Sequence, residues 1–280
     1  MENRILREFI HSSLAEDVGN GDHTSRAAIP PDAEGKAKLL IKEKGILAGI
    51  RIAVELFREI DKKLKTEILL EDGAKIQPGD IAFYLSGPTQ SILKSERLVL
   101  NIMQRMSGIA TSTNEYVTKL AGLKTRVLDT RKTTPLLRFI EKEAVRIGGG
   151  VNHRMGLYDM IMLKDNHIDY AGGIKEAIGK TVEYLKNNNL SLKVEIEARN
   201  LEDIKTILST GGVDRIMLDN FSVEDTLKAV KMIAGRFETE SSGGITLSTI
   251  RSYAECGVDF VSVGALTHHI RSLDMSLKAI

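Results

Sequence analysis

A chain of 280 residues is long enough for one barrel-sized domain or two ordinary ones, and at 42% hydrophobic and 28% charged it has the composition of a packed globular protein. Its 39 Lys and Arg balance 38 Asp and Glu, which leaves no bulk charge to recruit nucleic acid or an anionic membrane, so any preference for anions must come from local clustering. The single cysteine, Cys256, excludes an internal disulfide and a multi-cysteine metal site, and fits a reducing compartment such as the cytoplasm.

The opening Met1-Glu2-Asn3-Arg4 leads into an amphipathic stretch carrying Arg7 and Glu8, which reads neither as a signal peptide nor as a membrane span. The first hundred residues hold most of the turn signals: Val18-Gly19-Asn20-Gly21-Asp22, Pro30-Pro31, Gln77-Pro78-Gly79-Asp80 and Ser86-Gly87-Pro88. Between them lie β-rich runs at 36–41 and 66–70 and a helical pattern at 52–62, which predict a mixed α/β domain with an antiparallel sheet. Glu16, Asp17, Asp22 and His23 form the one polar cluster there, and such residues at such places read as turns and caps.

From residue 95 the texture changes. A long helical pattern covers 95–120, after which short apolar runs alternate with helices. The strand candidates are 126–129, 160–164, 192–198, 215–219, 237–241 and 259–264; the helix candidates are 136–147, 174–187, 201–208, 223–234 and 247–255. Repeated β then α predicts a parallel sheet, a barrel rather than an open sheet at this length, and the near-continuous apolar strands predict burial on both faces.

Polar residues gather where those strands end, the edge at which barrel enzymes build their sites. Thr130-Arg131-Lys132-Thr133 follows the first strand, and Gly148-Gly149-Gly150-Val151-Asn152-His153-Arg154 and Lys164-Asp165-Asn166-His167 follow in turn. Guanidinium groups suit carboxylates and phosphates, which they bind with two parallel hydrogen bonds. Arg131, Arg154 and Lys164 therefore read as anion ligands, whereas Arg138, Lys142 and Arg146 on the intervening helix read as a solvated basic surface. Glu195 and Glu197 share one face of the third strand, and Asp219 ends the fourth; acids there suit Mg²⁺ or ribose hydroxyls. For Glu195 a structural ion pair is an equal alternative. Ser241-Ser242-Gly243-Gly244 and Val263-Gly264-Ala265-Leu266-Thr267-His268 place small residues at the last two strand ends, where backbone N–H groups can meet a phosphate. His268 reads as a phosphate contact and His269 equally as surface. No Ser/His/Asp or Cys/His arrangement for a protein nucleophile is present.

These segments resemble the quinolinate phosphoribosyltransferase family (nicotinate-nucleotide pyrophosphorylase, carboxylating) over nearly the whole chain. The resemblance rests on Glu16-Asp17-Val18-Gly19, Gly45-Ile46-Leu47-Ala48-Gly49, Glu96-Arg97-Leu98-Val99-Leu100-Asn101 and Ser107-Gly108-Ile109-Ala110-Thr111. It is strongest in Asp129-Thr130-Arg131-Lys132-Thr133-Thr134-Pro135, the segment from Gly148 to Arg154, Lys164-Asp165-Asn166-His167, Leu218-Asp219-Asn220-Phe221 and the two small-residue strand ends.

The resemblance implies an α/β chain in which an N-terminal α/β sandwich domain (1–100, with the tail from about 269–280 packing back) precedes an open, incomplete parallel α/β barrel of the type II phosphoribosyltransferases (101–268). It implies transfer of phosphoribosyl from phosphoribosyl pyrophosphate to quinolinate with decarboxylation, giving nicotinate mononucleotide. Arg131, His153, Arg154 and Lys164 would hold quinolinate beside Thr130, with Arg97 reaching in from a partner subunit of a homodimer, itself able to build a hexamer. Lys132, Lys164 and His268 would meet pyrophosphate, and Glu197 and Asp219 the ribose and Mg²⁺. Ser242, Gly243, Gly244, Val263, Gly264 and Ala265 would cradle the 5′-phosphate, and Lys132, Lys164, Glu197 and Asp219 would form the catalytic group. Three positions depart from the family pattern: Leu136 stands where a Gly is usual, Arg199 follows the acidic strand, and His23 sits in an Asp-rich loop. A paralogue acting on another acceptor, an aldolase with Lys164 as Schiff-base lysine, and a non-catalytic phosphate sensor are the competing readings.

Overall fold

The structure, a computed structural model, describes residues 3–280. The chain divides into two compact units: the residues up to Asn114 with Phe139–Gly149 and His269–Ile280, and Glu115–Arg138 with Gly150–His268.

The first unit opens with helices α1 (Asn3–Val18) and α2 (His23–Ala28), then strands β1 (Glu34–Ile41) and β2 (Gly45–Ile46). Helix α3 (Ile50–Ile60) and strands β3 (Lys65–Ile68), β4 (Lys75–Ile76) and β5 (Ile81–Pro88) follow, and α4 (Thr89–Lys119) leads out. Asp22 caps α2, accepting from the Ser25 amide at 3.0 Å. Helix α3 buries Ile50, Ala53 and Phe57 with Ile52 and Leu56 on one face. Its N-terminus has no local cap; Asp72, far along the chain, accepts from the amides of Gly49 and Ile50 at 2.6 and 2.9 Å. Phe57 meets Phe83 of β5 edge-on at 5.6 Å between ring centroids.

Three expected boundaries shift for visible reasons. Strand β3 ends at Ile68 because the amides of Leu69 and Leu70 both turn to the Ala82 carbonyl. Helix α4 begins directly after Pro88 rather than at 95, so Ser86-Gly87-Pro88 marks a strand-to-helix junction, not a loop. Contacts of the first unit run to Asn114, beyond the boundary placed at 100, and take in the segment Phe139–Gly149. Arg105 explains this: it reaches the fully buried Glu141 carboxylate at 2.6 Å.

Beyond α4 come β6 (Arg126–Leu128), α5 (Arg138–Ile147), β7 (Ile161–Leu163), α6 (Asp165–Ala171), α7 (Ile174–Asn187), β8 (Val194–Ala198) and α8 (Leu201–Thr210). Then follow β9 (Arg215–Asp219), α9 (Val223–Ile233), β10 (Glu238–Ser242), α10 (Ile250–Glu255), β11 (Phe260–Ser262), α11 (Ala265–His268) and β12 (Met275–Ala279). Strand β12 joins the first unit, pairing antiparallel with β1 from Ala37↔Ala279 to Ile41↔Met275 in a sheet ordered β12-β1-β5-β3.

The second unit holds a six-stranded parallel sheet in the order β6-β11-β10-β9-β8-β7. Its end strands β6 and β7 do not pair, so the barrel is open. Val151 forms a single parallel bridge to Leu128 on β6, and β7 begins at Ile161. The segment from Val151 to Met160 therefore spans the two unpaired edges, and it carries His153 and Arg154. Strand alternation turns Val127, Val194, Ile196, Ile216, Leu218 and Val261 to one face and Glu195, Glu197, Arg215, Met217, Glu240 and Phe260 to the other. The strands are buried on both faces, as expected, yet one of those faces is ionic rather than apolar.

Candidate active site

The first strand end is organised by Asp129, which is fully buried just past β6. Its carboxylate accepts from the His153 amide at 2.8 Å and from Asn152 Nδ2 at 2.6 Å, tying β6 to the segment across the opening. Thr130 Oγ1 accepts from the Lys132 amide at 3.1 Å, and Lys132 is itself held through its carbonyl by Thr267 Oγ1 at 2.8 Å. Arg131 is half-buried, and its Nε is shut from solvent with no hydrogen-bond acceptor.

Two cations read as solvated surface are not. Arg138 donates to Thr133 Oγ1 and the Met155 carbonyl, both at 2.9 Å, bracing the loop that carries Arg131 against the loop after Arg154. Lys142 is buried in the first unit. Their helix is covered on that side, which composition alone could not reveal. Arg146 does lie on the surface, paired with Glu143 one turn back at 2.7 Å.

Arg154 is buried and donates through Nη1 to the Met160 carbonyl at 3.0 Å. Burial and the neighbouring Arg131 charge hold its guanidinium below the usual arginine range. The two arginines repel each other, and Arg131 keeps an unsatisfied buried donor, although the Glu195, Asp159 and Glu197 charges also act on Arg154. A carboxylate or phosphate would relieve both.

His153 turns into the ionic face of the sheet. Its Nε2 lies 2.8 Å from Glu195 Oε2 and 3.5 Å from Glu240 Oε2, and its Nδ1 accepts from the Arg154 amide at 2.7 Å. Arg215 closes the group, donating from Nη1 to Glu240 at 3.1 Å and from Nη2 to Glu238 at 3.0 Å. Burial alone would depress the His153 imidazole, but hydrogen bonds and charge from Glu195 and Glu240 outweigh it and lift it to about 9. Burial, then the Glu240 charge, pushes Glu195 up to about 7. Ring and carboxyl compete for one proton. The Arg154 amide decides the outcome: donation to Nδ1 requires that nitrogen bare, so the ring keeps its proton on Nε2 for Glu195, and the further proton rests on the carboxyl side. For Glu195, the structural half of the two open readings is thus what the geometry displays.

At the end of β7, Lys164 Nζ meets Glu197 Oε1 at 3.2 Å, and Glu197 Oε2 accepts from the Asp165 amide at 3.0 Å. The short helix α6 after it was not expected; His167 Nδ1 accepts from the Lys164 amide at 3.0 Å, a cap that no acidic signal announces. Asp219, ending β9, accepts from Asn220 Nδ2 at 2.9 Å, and the Asn220 amide donates to the Ser242 carbonyl at 2.9 Å. Gly243 and Gly244 follow with φ of 98° and 59°, conformations that favour glycine. At the last strand end Val263 is buried, and a side chain on Gly264 would meet His268 Nε2 and the Lys132 stem within 3.1 Å. Gly264, Ala265, Lys132 and His268 therefore converge. His269 is exposed and belongs to the first unit, as does Arg97, which is exposed on α4.

Sequence reading missed Asp129, Arg138, Arg215, Asn220 and Glu240. The alternating acids Glu238 and Glu240, a pattern repeated from Glu195 and Glu197, were the available signal.

Family-level sequence profiles match the chain twice: the "Quinolinate phosphoribosyl transferase, N-terminal domain" over residues 22–107 and the "Quinolinate phosphoribosyl transferase, C-terminal domain" over residues 109–278. The chain belongs to the quinolinate phosphoribosyltransferase family. Among its relatives is the Nicotiana tabacum "Quinolinate phosphoribosyltransferase [decarboxylating] 2b, mitochondrial", 45% identical over 98% of this chain and 82% of that one. The Bacillus subtilis "Probable nicotinate-nucleotide pyrophosphorylase [carboxylating]" is 40% identical, covering 99% of this chain and 94% of that one. The crystal structure of NadC from Streptococcus pyogenes superposes with a TM-score of 0.94 at 38% identity, covering 99% of this chain and 97% of that one. The quinolinate phosphoribosyltransferase fold thus extends over both units.

Proposed function

We propose that this chain transfers the phosphoribosyl group of phosphoribosyl pyrophosphate to the ring nitrogen of quinolinate, releasing pyrophosphate and CO₂ and leaving nicotinate mononucleotide for NAD biosynthesis. The observation that carries this reading is the Arg131–Arg154 pair: two repelling cations, one with a buried donor unsatisfied, fit a small dicarboxylate. Family membership supplies the chemistry.

Arg131, Arg154, His153, Thr130 and Lys164 would hold quinolinate so that its ring nitrogen faces the ribose carbon. Lys132, Lys164 and His268 would take the charge of the departing pyrophosphate. Ser242, Gly243, Gly244, Val263, Gly264 and Ala265 would keep the 5′-phosphate fixed. Charge arranged in advance stabilises the leaving group and the cationic sugar without reorganisation. The pyridinium formed by attack then draws the electrons of the 2-carboxylate bond into the ring as CO₂ leaves, and a proton replaces it.

Glu197 and Asp219 are oxygen donors at neighbouring strand ends, the donor type Mg²⁺ prefers, and would hold it together with the ribose hydroxyls. Bound there, Mg²⁺ would neutralise phosphate charge. We assign the active form to a homodimer, with Arg97 supplied by the partner subunit and the hexamer as a trimer of dimers, and the workplace to the cytoplasm. No helix among the described residues is long and apolar enough to cross a membrane.

The test is incubation with quinolinate, phosphoribosyl pyrophosphate and Mg²⁺, with nicotinate as control acceptor. Nicotinate mononucleotide and CO₂ from quinolinate, with nicotinate nearly inert, is the expected result. Equal turnover of both acceptors, or of neither, overturns it.

A further inference from the structure

Barrel interiors are ordinarily filled by branched apolar side chains. This one instead buries Glu195 and Glu240 completely, with Arg215 and His153 each 8% exposed. Such a group is a poor way to stabilise a fold. Desolvation takes back most of the Coulombic gain, and apolar residues of equal volume would serve as well or better. What a buried, hydrogen-bonded ion group does supply is direction, and the direction here is legible.

Arg215 lies over the Phe260 ring at 4.1 Å and grips Glu238 and Glu240, so its own position is set. Glu240 in turn approaches His153 Nε2, as Glu195 does from the next strand but one. The far side of the imidazole, Nδ1, receives the Arg154 amide. Asp129 holds the His153 amide from the other direction. Both ring nitrogens of His153 are therefore committed to protein groups, and the residue whose backbone they fix is the buried arginine.

Resting on the functional reading above, we infer that Glu240 and Arg215 are positioning residues for quinolinate. Through His153 they set the backbone of Arg154. The specificity of the carboxylate site is thus fixed from beneath, by a chain of contacts that runs Arg215, Glu240, His153, Arg154.

The experiment measures both Michaelis constants in the full-length enzyme for Glu240→Gln and Arg215→Lys. Glu240→Gln keeps shape and removes charge; Arg215→Lys keeps charge and loses the two-pronged grip, and it answers the question if the first variant does not fold. The expected outcome is a rise of about tenfold or more in KM for quinolinate, with KM for phosphoribosyl pyrophosphate within about twofold of wild type. With only 6 histidines in the chain, ¹⁵N spectra of the ring nitrogens supply a second readout: wild-type His153 shows the Nε2–H form, and Glu240→Gln shifts it. Folded variants whose quinolinate KM stays within about twofold, or whose two KM values climb together, overturn the inference. Failure of the wild type to use quinolinate at all would instead overturn the functional reading.

Discussion

Gly243 and Asn220 occupy each other's space: a side chain on Gly243 would run into the Asn220 amide oxygen and backbone nitrogen. Asn220 itself has a φ of 56°, and its side chain donates to Asp219. The glycine of one strand end and the acid of the next are therefore set by a single asparagine.

Gly243→Ala should accordingly damage two functions together. Strain at φ of 98° costs on the order of 1–3 kcal/mol, and the displaced Asn220 releases Asp219. KM for phosphoribosyl pyrophosphate should rise and kcat fall, while quinolinate binding measured without the sugar donor stays near normal. A variant with unchanged donor kinetics would detach this turn from the phosphate.

Calorimetry separates the two ends of the site. On the proposed assignment, Arg154→Ala would leave a carboxylate of quinolinate unpaired and should cost about 2–5 kcal/mol of binding. Asp219→Asn should depress turnover with quinolinate affinity nearly intact. If the second variant binds quinolinate as poorly as the first, the acids have been assigned to the wrong substrate.

Leu136 stands at φ of 66° and is 90% exposed. A left-handed leucine costs roughly 1–2 kcal/mol, more than the entropy a glycine adds to the unfolded chain. Leu136→Gly should therefore leave thermal stability equal or raise it slightly. A clear drop in Tm would show that the leucine is packed by something that offsets its strain.

The proton shared by His153 and Glu195 predicts a pH dependence. Glu195 rises from its ordinary 4.5 to about 7 in the folded state, so the folded chain binds a proton the unfolded one has lost. The stability this contributes is full below about pH 4.5 and lost as pH climbs through about 7. Denaturant unfolding of wild type and Glu195→Gln across that window should show a slope in the first and a flatter line in the second.

Arg97 tests assembly. If each site takes Arg97 from one subunit and Arg154 from the other, Arg97→Ala and Arg154→Ala, each inactive, should recover activity after subunit exchange. Half the dimers are then mixed, each with one intact site, so activity should approach about a quarter of wild type. Confirmed exchange without recovery would place both arginines in one chain's site.

The strand ends were legible because short, near-continuous apolar runs followed by polar or small residues mark them in the sequence itself. Arg131, Lys164, Asp219 and Gly264 lie at or just past those strand ends. Arg138 and Lys142 misled, because a helix rich in cations looks the same whether solvent or another segment covers it. The ionic face was legible only in part: alternation marks the acids of β8 and β10, but Arg215 and Glu240 reach their partners across strands, at registers that spacing within one strand does not encode. The α3 cap by Asp72 is a long-range contact of the same kind.

Strand β12 matters for synthesis as well as architecture. Its partner β1 is translated well before it, yet the pairing Ala37↔Ala279 must wait until β12 has been made. At roughly 5–20 residues per second, that delay is on the order of ten seconds to a minute. Throughout it, β1 presents an open edge, the kind of surface that pairs with a neighbouring nascent chain. The domain translated first is thus the last to close, and yield in the cell should depend on whatever shields that edge in the meantime.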